Sequence, residues 1–308
     1  MENFLLVARQ VAVLFALIGV GAACRRTKLL NVESVRGIVN VLLLLVTPSL
    51  IVECFQRPLD RGMLGQLGLA FVIAASLHAL LIAAAARLFR GDDAESPVLR
   101  LAAVFSNAGF MGIPLEQAVL GREGVFYGVV YIAVFNLLIW SWGFATMSGR
   151  GAGRDLCRTF VNPGTVGVAL GLPLFLFSVT LPDVAREPVR MLAGLNTPLA
   201  MLVIGFYLAG SNPLAAFRSP RALAASALRL AGAPLALLGV FWLLRGRLDR
   251  TMMLALVIGA SAPVAAMVTM FSARFNRDID LAVGLVSGTT LASVATMPTV
   301  VALAMNLL

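Results

Sequence analysis

Residues 106–116 read SNAGFMGIPLE, in the middle of a stretch otherwise apolar enough to lie in a membrane. An asparagine offers the backbone local alternatives to helix, two glycines raise the cost of helix, and a proline removes a donor. Such backbone is tolerated at membrane depth only where protein or a water-filled cavity surrounds it. The stretch therefore marks a break in a spanning helix, provided that its surroundings span. They do by composition: 60% of the 308 residues are hydrophobic and 13% charged, with mean hydropathy +0.93, against roughly half and about a quarter in soluble domains.

Apolar stretches long enough to cross about 30 Å of hydrocarbon as helices recur along the whole chain. The expected spans are 3–23, 35–55, 64–88, 98–120, 124–147, 161–180, 190–210, 222–244, 251–272 and 280–305. The segments are twice the length of a barrel strand and lack period-2 alternation, so the expected class is an all-α integral membrane protein of ten transmembrane helices. No connection is long enough for a soluble domain. The net charge of +9 comes from arginines at span ends, where membrane topology accounts for them, and nucleic acid is not an expected partner. Cys24, Cys54 and Cys157 are scattered and odd in number, and the chain has one histidine; neither a disulfide framework, a metal site nor a cofactor is expected. At the N-terminus, Arg25, Arg26 and Lys28 follow the first apolar run. A secretory signal carries its basic residues in front, so the first helix is expected to stay.

Fourteen Lys and Arg residues fall in connections 1/2, 3/4, 5/6, 7/8 and 9/10, and nine in the N-terminus and the even connections. The positive-inside rule then places the odd connections in the cytoplasm and both termini outside the inner membrane. Thr47-Pro48 and Thr197-Pro198 are 150 residues apart, and Pro114 and Pro263 are 149 apart. Two landmarks in register define a repeat, 1–150 and 151–308. Each half holds five spans, an odd number, so the second enters from the opposite side, as in the inverted repeats of secondary transporters.

The ninth span carries its own helix-unfriendly centre, GASAPVAAM, from Gly259 to Met267. Pro114 and Pro263 suit a first helical position, where a missing N–H is no loss. Each half-helix after a break would present free N–H groups and roughly half a positive charge near the midplane, which favours an anion. The candidate substrate-binding residues are Asn107, Ala108, Gly109, Gly112 and Pro114 from the first break, with Ser261, Ala262 and Pro263 from the second. The alternative is that each proline only kinks a packed helix, the reading given to Pro48 and Pro198.

Other polar residues sit inside spans. Glu116 serves the helix dipole or carries a coupling proton. Glu53, near the outer end of span two, reads as interfacial. His78 is a packed, hydrogen-bonded side chain or a proton relay. Arg229 lies about two turns from the cytoplasmic end of its span and reads as snorkelling, with binding of a substrate carboxylate as the other role. Asn136 with Thr289, Thr290 and Thr296 either lines a cavity or bonds helix backbone, and Trp140 and Trp142 read as interfacial anchors.

The segments FSNAGFMGIPLEQAVLGREG, VFNLLIWSWG, APVAAMVTMFSARFNRDIDLAVGLV and TLASVATMPTVVAL resemble the auxin efflux carrier family, with Asn-x-Gly-Phe-x-Gly-x-Pro the most specific element. The resemblance implies two inverted five-helix repeats, a fold related to the bile-acid sodium symporters, and a scaffold and a transport domain whose fourth and ninth helices cross at their breaks. It implies an elevator-like motion carrying organic anions, and a homodimer fits that fold. Asn107 and Pro114 match the family's first crossover and Pro263 the second. The long cytoplasmic loop of plant members is absent, because the 5/6 connection SGRGAGRDLCRTF is short, which favours a bacterial-type member.

The expected function is a carrier of small organic anions such as carboxylates or auxin-like weak acids, with H+, Na+ or no coupling ion. The alternative is an anion channel, or a receptor that binds an organic acid without moving it. An enzyme is not expected: the aspartates lie in loops or at span ends, and no intramembrane Asp pair, Ser-His pair or metal set stands out.

Overall fold

The computed structural model describes residues 2–57, 61–91, 93–149, 163–217 and 219–308. Cys157, Asp60, Asp92, Asp155 and most of the 5/6 connection lie outside the described residues. Those described are helical, with one isolated antiparallel bridge and no strand. In chain order the α-helices are α1 Glu2–Arg26, α2 Val32–Val41, α3 Thr47–Cys54, α4 Arg61–Leu88, α5 Glu95–Val104, α6 Ile113–Leu138, α7 Phe144–Ser148, α8 Pro163–Leu176, α9 Asp183–Gly194, α10 Asn196–Leu208, α11 Pro220–Ala227, α12 Ala233–Leu243, α13 Arg250–Ser261, α14 Met267–Arg274 and α15 Ile279–Leu307. Among the described residues, seven helical runs are long and apolar enough to cross a membrane, and Gly164–Leu176 and Arg250–Ser261 are shorter apolar helices.

Several α-helices are joined end to end by single π turns: Leu42–Val46 between α2 and α3, Ala108–Gly112 before α6, Ile139–Gly143 between α6 and α7, and Leu228–Gly232 between α11 and α12. Three of the four precede a proline by one or two residues. A proline ring collides with the carbonyl four residues back, and a π turn inserts one residue, which moves that carbonyl aside. In each case the residue before Pro48, Pro114 or Pro234 bonds the carbonyl five residues back: Thr47 to Leu42, Ile113 to Ala108, Ala233 to Leu228. Pro48 thus sits in a widened turn of a continuous span. At Ile139–Gly143 no proline follows, and the Ser141 hydroxyl instead donates to Leu137 O at 2.6 Å.

The run Ala108–Ser148 spans 41 residues, about 60 Å if straight and twice the membrane's hydrocarbon thickness. It is not straight. Gly121 has φ 68° and ψ −155°, a backbone conformation open to glycine alone, and a Cβ placed on Gly128 would meet the carboxyl of Glu116. Residues twelve apart in a straight helix stand about 18 Å apart, so the chain doubles back at Gly121. The expected boundary between 98–120 and 124–147 falls at this turn.

Buried apolar side chains form two cores. One gathers α4, α5, α6 and α11 to α15. In the other, Val7, Val11, Leu14 and Ile18 of α1 and Met201, Ile204 and Phe206 of α10 pack with Met111, Leu115, Ile258, Ala262, Met297 and Val301. Residues of the two broken segments thus face the α1/α10 unit.

Candidate functional site

The helix of the fourth expected span stops at Val104, and Asn107 caps the π turn that restarts it. The helix of the ninth stops at Ser261, and the next begins at Met267. These breaks touch. Asn107 N–H donates to Pro263 O at 2.7 Å and Ala265 N–H to Phe105 O at 3.0 Å, an antiparallel bridge between Ser106 and Val264. Backbone that leaves a helix inside a membrane must find partners in the protein, and here each break is the other's partner. A further donor of the second break, Val264 N–H, is taken by the Thr289 hydroxyl of α15 at 3.1 Å, which itself donates to Leu285 O at 2.6 Å.

Helix restarts immediately beyond the bridge on both sides. Ala108, Gly109 and Phe110 open one helix and Met267 the other, and first-turn N–H groups have no carbonyl a turn before them. The bridge residues Phe105 to Asn107 and Ala262 to Ala265 are buried, whereas Gly109, Phe110, Ala266 and Met267 are partly open. Two positive helix ends therefore lie at the edge of the bridge with access from outside it. Pro263 lies in its break, but Pro114 lies six residues beyond Ala108, inside a helix already under way. The free end expected at Pro114 is supplied by Ala108 to Phe110 instead. Gly112 is buried in that π turn, its α-carbon facing Gly259.

Asn196, at the start of α10, is buried and points its amide at Gly109 O at 3.5 Å. Its side chain reaches the crossing from the α1/α10 core. The sequence contains a clue, since Asn196 directly precedes the Thr197-Pro198 landmark. Asn136 donates to Ile132 O at 3.0 Å and Ser261 to Ile258 O at 2.8 Å, both within their own helices. Thr290 likewise bonds Val286 O at 2.7 Å.

The bridge rests on a buried polar cluster. The Ser106 hydroxyl donates to the Tyr131 hydroxyl at 3.3 Å. His78 is fully buried, its ring centroid 5.0 Å from that of Tyr131 and 6.1 Å from that of Phe105. His78 Nδ1 bonds Ala74 O at 2.8 Å, and Nε2 is buried without a partner. Glu116 is also buried, with Oε2 unpartnered. Because the preceding π turn moves the helix start back to Ala108, Glu116 is more than a turn from the free end, and the dipole role loses its geometry.

Arg229 does not snorkel. It is completely buried, with Nη1 donating to Val104 O at 2.7 Å and Nη2 to Ala260 O at 2.5 Å. Counting turns to the membrane edge misplaces it, because Arg229 continues the face on which Ala222, Ala225 and Ser226 are buried in the protein. Trp140 and Trp142 are half-buried and pack on Phe271 and Phe105 respectively. Glu53 makes ion pairs at 3.4 Å with Arg122 and Arg186. Among the described residues no group of three or more His, Cys, Asp or Glu is placed to hold a metal.

The chain is similar to an uncharacterized transporter of Methanothermobacter thermautotrophicus, 26% identical over 215 residues, which cover 67% of this chain and 68% of that one. Residues 6–301 match the family described as membrane transport protein. A match over nearly the whole length, on a helical chain with seven runs able to cross a membrane, places this protein in that family, the auxin efflux carriers.

Proposed function

We propose that this chain is a secondary carrier of small organic anions, such as carboxylates or auxin-like weak acids, with the anion bound where the two broken helices cross. One observation carries the reading: the two breaks are hydrogen-bonded to each other, and a helix starts at the edge of that bridge on each side. Two such ends supply N–H donors and positive potential to one negative group. Asn107, Ala108, Gly109 and Gly112 with Ser261, Ala262 and Pro263 form its wall, and Pro114 and Asn136 stand behind.

The carrier is an inverted pair of five-helix repeats, 1–150 and 151–308, with both termini outside the inner membrane. The broken-helix body moves against the α1/α10 unit as an elevator, a division that the two separate cores support. Asn196 reads the crossing from the fixed side. His78 and Glu116 are the candidates for proton coupling, since each is buried near the crossing with an atom lacking a partner.

Purified protein in liposomes loaded with one carboxylate should exchange it for labelled carboxylate outside, saturably. His78→Gln and Glu116→Gln in the same assay identify the coupling group by flattening the pH dependence. Unitary currents in place of counterflow would make the protein a channel, and binding without exchange a receptor.

A further inference from the structure

A bare guanidinium inside a membrane protein is costly unless its charge is met and its donors are used. Arg229 has its charge met largely by backbone: Nη1 and Nη2 bond carbonyls, while Nε is buried without a hydrogen-bond partner. Val104 O and Ala260 O lie at the C-terminal ends of α5 and α13, the halves that run into the crossing. Each helix C-terminus carries roughly half a negative charge, so two of them offset one guanidinium. Tyr131 stands beside the guanidinium and takes the hydrogen bond of Ser106, which ties the charge to the first break as well.

In transporters with discontinuous helices, unwound carbonyls and half-helix C-termini are the groups that coordinate a coupling cation. Here a side chain holds them. The geometry points to Arg229 as the resident cation of the crossing, a tethered charge in the place that a coupling sodium ion would take. The inference rests on the carrier reading and deepens it: with the negative helix ends neutralised from within, the positive ends are left for the anion, and carriage needs no sodium. A staple that merely held two helices together would do its work by shape and would not answer to small cations.

The test measures the unfolding midpoint of the purified full-length chain in sodium, potassium and choline chloride at equal ionic strength. The natural protein, Arg229→Ala and Arg229→Lys are compared. The natural protein should show one midpoint in all three salts. Arg229→Ala should fall by about 5 °C or more and recover in millimolar guanidinium chloride or in sodium, which reach the vacated carbonyls, but not in choline. A sodium-specific rise in the natural protein, or a loss in Arg229→Ala that no small cation restores, overturns the assignment. Should Arg229→Ala fail to fold, Arg229→Lys decides: a folded variant indifferent to sodium supports the resident charge, and one stabilised by sodium contradicts it. Because the readout is stability, absence of counterflow would defeat the carrier reading without touching this one.

Discussion

Thr289 shows what a single side chain does at the bridge between the breaks. Its hydroxyl receives Val264 N–H and donates to Leu285 O, so one residue closes the account of a backbone group that the bridge leaves over. Thr289→Val keeps the shape and orphans a buried donor, which costs about 1–3 kcal/mol. Chemical denaturation of the purified variant should show that loss, whereas the same change at the exposed Thr299, bonded only to Ala295 O of its own helix, should cost little. Residue chemistry was legible where it is local. Asn107, the glycines and the prolines announce a break because each acts on its own backbone. Arg229 and Asn196 were not legible, since their partners are carbonyls 31 to 125 residues away and nothing in their own neighbourhoods records those carbonyls.

Among elements, α1 and α10 come closest. A Cβ on Gly205 would strike Ile18 O, and one on Gly21 would strike Leu202 O. Each glycine lets the other helix's backbone in, the means by which membrane helices gain contact without a hydrophobic driving force. Backbone cannot step aside as a side-chain tip can. Gly205→Ala should therefore cost about 1–3 kcal/mol, seen as a lowered unfolding midpoint, whereas Gly19→Ala, which meets nothing within 4 Å, should be neutral. At this scale the sequence shows spans but not their internal register. A helix of 3.6 residues per turn is the assumption behind every face assignment, and the π turns before Pro48, Pro114 and Pro234 break it, rotating whatever lies nearby. The π turn before Pro114 starts the helix at Ala108 rather than at the proline, whereas Arg229 is buried on the same face as Ala222, Ala225 and Ser226.

For the whole molecule, composition and the positions of charge already forced a helical membrane protein, because hydrocarbon admits few other ways to satisfy backbone. The 149-residue offset between Pro114 and Pro263 led to both broken segments, and only the family resemblance implied that they meet. The bridge between Ser106 and Val264 supplies the contact between the breaks, and it makes of two separate defects one candidate site. The α1/α10 core includes Met111, Leu115, Ile258 and Ala262 of the broken segments, so a ligand held at the helix ends would border that core. The most direct measurement is a thermal-shift titration of purified protein with mono- and dicarboxylates, compared with Asn107→Ala, since a ligand of the folded state raises its midpoint. A saturable rise of several degrees in the natural protein, lost in an Asn107→Ala variant that still folds, is the predicted result. The same rise in both proteins would place the anion elsewhere and contradict the crossing as its site.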